Sequence, residues 1–516
     1  MSFKAILAVS FLLVFSFACT DLTEETPSDI TTLENEEQFV SALGEAYAIL
    51  GQWSNHGGFF SLQQISTDET VIPRRGGDWF DGGIWLDAHQ HTTNAEHGPT
   101  NGSWNYLFSG VNATSRLILQ FETLIEEGQA EPELAEPFIS EMKVMRAFYY
   151  FWLLDMFGNV PIIENFAEAD ANPSNNSDFQ AGRTEVFEFV EQSLLDNVDD
   201  ISDDPGASYG RVNKYAAHFL LAKLYLNAEV FIDQDTWNGT NVYELAEEQL
   251  DIIIDSGLFS LEGNYFNNFA TNNEGASETI FAIPYDEVFL EGFQMHHMTL
   301  HYAQQAQFDF QDQPWNGYAT LAEFYNSFEE GDIRQDGLMA GLQRDLNGDP
   351  LIDEDAPGDP ELSFDVEIPA IDMPNQTDFP RLRLAGARFN KFEYEIGATP
   401  HLNNDYPVMR YADVILMKAE AMWRQNGDGQ MYFDMIRENG RVGDVDPITL
   451  NEENLLAERS RELYMEVYRR QDMIRFDRFN DEWWEKPESE PFRNVFPIPQ
   501  TQIDANPNLN QNPGWN

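Results

Sequence analysis

Residues 145–161, MRAFYYFWLLDMFGNVP, carry more information about the fold than any other stretch of this chain. Apolar residues recur at helical spacing from Phe138 to Phe157, which predicts a helix over this range. The second half of the helix is apolar on nearly every side, so we expect it to lie deep in the core. It is predicted to end at Gly158, because glycine is favoured just after a helix and Pro161 cannot continue one.

Helical periodicity extends outward from this stretch in both directions. Further helices are predicted over Gly102–Glu127, Val212–Ile232, Tyr243–Ser256, Val408–Gln425, Met431–Asn439 and Glu452–Arg475. Four of these read as two antiparallel pairs of roughly the 34-residue size of tetratricopeptide units, which bury a face only by stacking on neighbours. The pattern is degenerate, so we expect a mainly α scaffold of irregular pairs, and a regular repeat array is not established.

Two long stretches, residues 68–101 and 264–407, lack this periodicity. The first is rich in Gly, His and Trp, and the second in Gly, Pro and Asn. Segments of this length inside compact proteins are usually functional or disordered. Their aromatic content argues against disorder, so we expect them to form a binding surface.

Cys19 is the single cysteine among 516 residues. It follows the apolar run Ala5–Ala18, which is preceded by the basic Lys4. The run is shorter than the about 20 residues that cross a bilayer and fits the apolar core of a secretory signal. A cysteine directly after it is where bacterial lipoproteins are cut and acylated. The alternative is a stray cysteine in an ordinary signal peptide.

These features predict the organisation of the chain. Residues 1–18 are a lipoprotein signal peptide, residues 19–35 an acidic tether, and residues 36–516 a single domain. Within that domain the helical scaffold comprises residues 36–67, 102–260 and 408–516.

The charge of the chain is strongly negative. The 89 acidic residues outnumber 29 basic ones and give a net charge of -60. Such a surface repels phosphate backbones, which argues against nucleic-acid binding. A mean hydropathy of -0.43 excludes an integral membrane body, so we expect contact with a membrane through the lipid anchor only. Solubility is the simplest reason for the charge.

An ordered set of motifs resembles the SusD/RagB family of surface lipoproteins of Bacteroidetes. The resemblance starts at Cys19 and runs to the last residues. It is carried by 145–161, Gly210-Arg211-Val212, Tyr225-Leu226-Asn227-Ala228, Tyr406-Pro407-Val408-Met409-Arg410-Tyr411-Ala412-Asp413, Ala419-Glu420-Ala421, Glu458-Arg459-Ser460-Arg461-Glu462-Leu463-Tyr464, Arg469-Arg470-Gln471-Asp472-Met473-Ile474-Arg475-Phe476, Phe496-Pro497-Ile498-Pro499 and Asn508-Leu509-Asn510-Gln511-Asn512.

The resemblance implies a SusD-like fold of tetratricopeptide-like helix pairs with long irregular ligand-binding segments. It implies a protein that is anchored to the outer membrane, faces the exterior and captures oligosaccharide or polysaccharide. The implied partner is a SusC-type TonB-dependent transporter, to which the ligand is delivered. No catalysis and no cofactor are implied. A peptide-binding member of the same family is the alternative, and an extracellular glycosidase is a more distant one.

Exposed aromatic rings beside polar groups are what a glycan surface requires, because sugars present flat C–H faces and a rim of hydroxyls. Residues 74–85 and 313–318 supply both, and glycines in the first of them allow close approach of backbone to ligand. In the starch-binding member of the family, tryptophans from the two corresponding loops form an aromatic arc. The predicted contacts are Trp79, Trp85, Trp315, Asp78, Asp81, Arg75, Asn316 and Tyr302. The alternative is that these tryptophans only pack on the scaffold.

Two groups of residues raise the question of a metal. His296, His297 and His301 lack a matching carboxylate spacing, and ordinary polar roles are expected. Residues 345–355 place Asp345, Asn347, Asp349 and Asp353 at alternating positions, as in a calcium loop. Pro350 and Ala356 depart from that pattern, so a solvated acidic loop is preferred over calcium.

Catalytic signatures do not point to an enzyme. The sequence contains no nucleophile elbow, phosphate-binding loop or dinucleotide fingerprint. Glycoside hydrolysis needs two carboxyls at a set separation in a cleft, which sequence does not reveal. We therefore expect a binding protein.

Overall fold

The computed structural model of the chain describes residues 33–165, 171–373, 379–438 and 440–515. Cys19 and the predicted signal peptide lie outside the described residues, as does most of the predicted tether. Among the residues described, no helix combines the length and the apolar character that crossing a bilayer would need.

Helices make up most of the regular structure, as predicted. In chain order they are α1 Glu36–Ala48, α2 Phe59–Ile65, α3 Ile84–His89, α4 Gly98–Glu126, α5 Pro132–Phe157, α6 Phe179–Leu195, α7 Lys214–Leu226, α8 Ala228–Ile232, α9 Val242–Asp255, α10 Met295–Thr299, α11 Gln305–Phe308, α12 Ala322–Tyr325, α13 Phe379–Leu384, α14 Tyr411–Arg424, α15 Gln430–Arg437, α16 Glu452–Leu463, α17 Arg469–Arg475 and α18 Gln500–Ala505. Short 3-10 helices occupy Ile49–Gln52, Asp81–Gly83, Tyr265–Phe269, Tyr302–Gln304, Ile333–Gly337 and Pro491–Asn494.

Helix α5 is the central helix, and residues 144–157 are buried without exception. This confirms the prediction from its all-round apolar sequence. The helix ends at Gly158, whose φ of 72° suits glycine and whose amide donates to the carbonyls of Leu153 and Leu154. Helix α4 packs along α5, where the ring of Tyr149 lies against the bare backbone of Gly110. The core around α5 extends along the chain from Leu33 to Leu509.

The strands are short and form antiparallel pairs. They are β1 Thr70–Val71, β2 Thr236–Trp237, β3 Thr240–Asn241, β4 Thr279–Ile283, β5 Ala319–Thr320, β6 Leu338–Met339, β7 Gly341–Leu342, β8 Ser363–Phe364, β9 Arg388–Phe389 and β10 Tyr406–Arg410. The pairs are β1–β5, β2–β3, β4–β10, β6–β9 and β7–β8. In the longest pair Tyr406 lies opposite Ile283 and Arg410 opposite Thr279, which attaches the segment 264–407 to the start of α14.

Three predicted helices differ from the structure. Residues 408–410 belong to strand β10, so the predicted helix over Val408–Gln425 begins only at Tyr411. The predicted helix over 212–232 is divided between α7 and α8 at Asn227, whose amide side chain bonds to Gln471 and Arg475.

The predicted single helix over 452–475 is divided into α16 and α17. Met465 and Val467 have positive φ values of 60° and 66°, which ends the helix. Glu466 between them turns inward, where its carboxylate accepts hydrogen bonds from Lys391 at 2.5 Å and Arg410 at 2.8 Å. The burial of Glu466 in these ion pairs therefore interrupts the helix that the periodicity predicted.

Candidate functional site

Two loops from the irregular segments meet at a pair of tryptophans. The indole Nε1 of Trp79 donates to the backbone oxygen of Trp315 at 2.7 Å. The ring of Trp79 also covers Gly317 so closely that a Cβ at this position would overlap it. The two loops, 74–85 and 313–318, are thus held together by these contacts.

Both indoles are half-buried and keep part of their surface exposed. The imidazole rings of His56 and His297 pack against them. The His56 ring lies 6.0 Å from that of Trp79 and 5.2 Å from that of Trp315, and the His297 ring lies 5.3 Å from that of Trp315. These edge-on contacts fix the orientation of the tryptophans.

His56 was not predicted as part of the site. It lies within the predicted scaffold, between the first 3-10 helix and α2, in a stretch with no signal that marks it for binding. Burial lowers the pKa of His56, while the nearby Asp81 opposes this effect. We therefore expect a neutral ring at pH 7, which suits packing against indole.

Exposed carboxylates lie beside the tryptophans. Asp78 accepts a hydrogen bond from the hydroxyl of Tyr302, and Asp81 accepts one from the indole of Trp85 at 2.7 Å. Burial and the contact with Asp78 raise the pKa of Tyr302 above its ordinary value, so its phenol remains a proton donor at neutral pH. The guanidinium of Arg383 lies 4.7 Å from the centre of the Tyr302 ring. Four predicted side chains, Trp79, Trp315, Asp78 and Asp81, therefore share one accessible surface with Tyr302.

Three predicted contacts are buried and cannot lie against a ligand in this structure. The exposed fractions are 4% for Trp85, 1% for Arg75 and 0% for Asn316. Predicting direct ligand contacts for them was wrong. Arg75 and Asn316 form hydrogen bonds to other segments, and the indole of Trp85 bonds to Asp81 within its own loop.

Arg75 donates to the backbone oxygens of Asn316 at 3.1 Å and Ala385 at 2.9 Å. Asn316 has a positive φ of 56°, and its side-chain oxygen accepts from Arg388 at 2.8 Å. Burial lowers the pKa of Arg75 to about 9. The side chain of Arg75 therefore positions the loop 313–318, and the exposed side chains beside it remain accessible to a ligand.

The other histidines hold the turn that precedes the second loop. His296 bonds to the carbonyl of Thr399 at 2.9 Å, and His301 lies 3.3 Å from Asp353. Helix α10 ends at Thr299, so His301 lies outside the helix that carries His297. Burial lowers the pKa of His297 and of His301 to about 4 in each case.

The oxygens of the predicted calcium loop do not converge. Asp345 accepts from the amides of Asn347 and Asp349, each at 2.9 Å. Asp353 is turned inward, where Arg383 holds its carboxylate with two hydrogen bonds of 2.7 Å. Nowhere in the described ranges do three His, Cys, Asp or Glu side chains group closely enough to hold a metal ion. Asp353, one of the four candidate ligands, is therefore engaged in an ion pair away from the loop.

A larger groove of about 1220 Å³ lies elsewhere, between α5 and α6 and beside the hairpin β2–β3. Its walls carry acidic side chains from both helices, including Glu133, Glu136, Glu185 and Glu188. None of the predicted contacts lines it, so this groove and the tryptophan surface are separate.

Comparison with known proteins finds similarity to SusD-type proteins. A model described as "SusD family" matches residues 386–515, and one described as "Starch-binding associating with outer membrane" matches residues 24–226. The "Starch-binding protein SusD" of Bacteroides thetaiotaomicron is 26% identical over 80% of this chain and 78% of its own length. The "SusD-like protein P25" of Formosa agariphila is 23% identical over 99% and 98% of the two chains.

Solved structures share the fold. A "Laminarin binding SusD-like protein" superposes with a TM-score of 0.70 at 21% identity, covering 93% of this chain and 100% of its own. "Surface glycan-binding protein A from Bacteroides thetaiotaomicron in complex with laminarihexaose" gives a TM-score of 0.70 at 19% identity with the same coverage. The mainly α architecture with irregular segments is therefore the SusD-like fold. The chain is therefore similar in sequence to SusD-type proteins over residues 24–226 and 386–515, and it shares their fold along its length.

Proposed function

We propose that this protein captures oligosaccharide or polysaccharide at the cell surface and delivers it to a SusC-type TonB-dependent transporter. The observation that carries the proposal is the pair of half-exposed indoles, Trp79 and Trp315, with the carboxylates of Asp78 and Asp81 beside them. Relatives named for binding starch and laminarin support the same class of ligand.

Binding follows from the chemistry of this surface. A sugar ring stacks its C–H face on indole, while its hydroxyls donate to Asp78 and Asp81. Aromatic stacking is worth about 1–3 kcal/mol per ring in other ligands, so two platforms give reversible capture. Reversibility suits a protein that must release its ligand to a transporter. The mechanism uses the side chains of the chain itself, without a cofactor or a catalytic step.

The proposed location is the outer membrane, facing the exterior. It rests on the acylation signal that ends at Cys19 and on the matching family model, whose description includes association with the outer membrane. Replacing Cys19 by alanine is expected to release the protein from membranes. Fractionation and immunoblotting measure this, and a Cys19→Ala variant that still sediments with membranes would contradict the anchor.

Affinity electrophoresis tests the glycan proposal. The wild-type protein is run through gels that contain laminarin, starch, levan, xylan or mannan, and we expect retardation on at least one of them. Trp79→Ala and Trp315→Ala should each weaken that retardation at least tenfold in apparent affinity, which corresponds to about 1.4 kcal/mol. Trp423→Ala is the matched control, since Trp423 is a half-buried tryptophan on the scaffold helix α14.

The alternatives give different results in the same experiments. No retardation on any glycan, together with binding of oligopeptides, would favour a peptide-capturing member of the family. Release of reducing ends from a retained polysaccharide would show a glycosidase. Unchanged retardation of both tryptophan variants would place the glycan site elsewhere on the protein.

A further inference from the structure

A second cavity, separate from the tryptophan surface, opens between α6, α17 and the C-terminal segment. Its volume is about 240 Å³. This exceeds the about 150 Å³ of an engineered protein cavity that accommodates benzene. Apart from Arg183 and Asn494, its walls are apolar: Phe179, Val230, Ile474, Pro491, Phe492, Val495 and Pro513.

Arg183, in the second turn of α6, brings a positive charge to this apolar cavity. Within the described part of the chain its guanidinium forms neither a hydrogen bond nor an ion pair. The Nε atom is buried without an acceptor, whereas the two terminal nitrogens are not fully buried. The guanidinium group lies 5.5 Å from the ring centre of Phe179 and 5.8 Å from that of Phe231, and these faces are its only charge-stabilising contacts among the residues described.

Asp155 is the acidic residue whose charge acts on Arg183, but its carboxylate already accepts hydrogen bonds from other side chains. Asp155 accepts hydrogen bonds from Gln63 at 3.1 Å, Arg470 at 3.0 Å and Gln471 at 3.0 Å. Burial lowers the pKa of Arg183 to about 10 although Asp155 opposes this, and Arg470 adds repulsion. The side chain is therefore cationic at neutral pH, half-buried, and without an anion of its own.

This situation is unusual in a chain with three times as many acidic as basic residues. Nearly every basic side chain in the described ranges is paired with a carboxylate or bonded to a backbone oxygen. An unpaired cation at the wall of an apolar cavity is costly unless a ligand anion completes it. Arginine binds carboxylates through two parallel hydrogen bonds, which makes a carboxylate the fitting partner.

We propose that this cavity binds a small organic acid with an aromatic or otherwise apolar body. The carboxylate pairs with the terminal nitrogens of Arg183, and the body lies between Phe179, Phe492 and Val230. Because its lining shares no residue with the tryptophan surface, this binding is independent of glycan capture.

Isothermal titration calorimetry with benzoate tests the proposal on the whole protein. We expect a dissociation constant on the order of 1 mM, as for a ligand of few atoms. Benzamide has the same shape without the charge and should bind at least tenfold more weakly. Glucuronate has the charge on a hydroxylated ring and should also bind at least tenfold more weakly. Equal binding of benzamide would remove the role of Arg183, and preferential binding of glucuronate would overturn the apolar class of ligand.

Variants locate the site. Arg183→Met keeps the length of the side chain but removes its charge, and it should abolish benzoate binding. Val230→Phe keeps Arg183 and fills the cavity, so it should weaken benzoate at least tenfold even if Arg183→Met folds poorly. Arg478→Met is the matched control on an exposed arginine. Benzoate binding that survives both cavity variants would overturn the proposal, whatever the outcome of the glycan experiments.

Discussion

Glu69, next to strand β1, has a buried carboxyl group of which only one oxygen has a hydrogen-bond partner. One of its oxygens accepts from the hydroxyl of Ser460 at 2.6 Å, while the other has no partner in the described structure. Arg469 approaches only to 3.8 Å. Burial raises the pKa of Glu69 to about 8. The folded protein therefore retains a proton here that the unfolded chain releases near pH 4.5.

This proton makes stability depend on pH. Because the folded-state pKa is raised, the free energy of unfolding should decrease as pH rises from about 4.5 to 8, by at most about 1.4 kcal/mol per pH unit from this group. Glu69→Gln should remove that contribution, so the difference between wild type and variant should change steadily with pH. Urea denaturation at pH 5, 6, 7 and 8 measures it. Exposed Glu453→Gln is the control, and parallel curves for Glu69→Gln and wild type would contradict the prediction.

At the scale of elements, the contact between α4 and α5 depends on the absence of a side chain. Gly110 lies in the interior of α4, where alanine would normally be preferred by up to about 1 kcal/mol. The space that the methyl group of an alanine would need is occupied by the ring of Tyr149, which is fully buried against the glycine backbone. The two helices can approach this closely only because Gly110 has no Cβ.

Gly110→Ala should therefore destabilise the protein in spite of the better helix propensity. Overpacking of a dense core costs typically about 1–3 kcal/mol, and here the clash involves a rigid ring. Gly44→Ala is the matched control, since a Cβ at this exposed position of α1 meets nothing within 4 Å; it should be neutral or stabilising. Thermal denaturation of both variants measures the difference. A Gly110→Ala protein as stable as Gly44→Ala would show that the helices can separate without cost.

At the scale of the whole molecule, buried ion pairs connect the scaffold to the irregular segment. Glu462 of α16 accepts hydrogen bonds from Arg410 at 3.1 Å, Arg441 at 2.7 Å and Arg334 at 3.2 Å. Glu278, which precedes β4, accepts from the same Arg410 at 2.6 Å. Burial alone would raise the pKa of Glu462, but Arg441 and Arg410 hold it well below its ordinary value. The network fixes how the segment 264–407 sits on the helices.

Glu462→Gln should cost about 3–5 kcal/mol, because removing one partner leaves several guanidinium groups buried and uncompensated. Glu452→Gln on the same helix breaks only an exposed pair with Arg478 and should cost less than about 1 kcal/mol. Urea denaturation at pH 7 measures both. Since the pKa of Glu462 is depressed, its contribution is present above about pH 4.5 and lost on acidification below it. Equal stability of the two variants would contradict the role of the network.

The sequence by itself determined the mainly α fold, the resemblance to SusD-type proteins and the two loops that meet at Trp79 and Trp315. Helical periodicity located α4, α5, α9 and α15, because each has one face or its whole circumference in the core and this pattern is local. The sequence also singled out Trp79 and Trp315, and each of these half-buried indoles keeps part of its surface exposed.

Only the tertiary structure decided which predicted polar side chains are exposed beside the tryptophans and which are buried in hydrogen bonds of the fold. Arg75 and Asn316 look like surface groups in the sequence. The partners of Arg75, however, lie 241 and 310 residues away along the chain, and Asn316 accepts from Arg388, 72 residues away. The break between α16 and α17 has the same origin, because Glu466 leaves the helix to pair with Lys391 and Arg410. Periodicity reports burial, whereas the pairing of charges between distant segments leaves no local pattern.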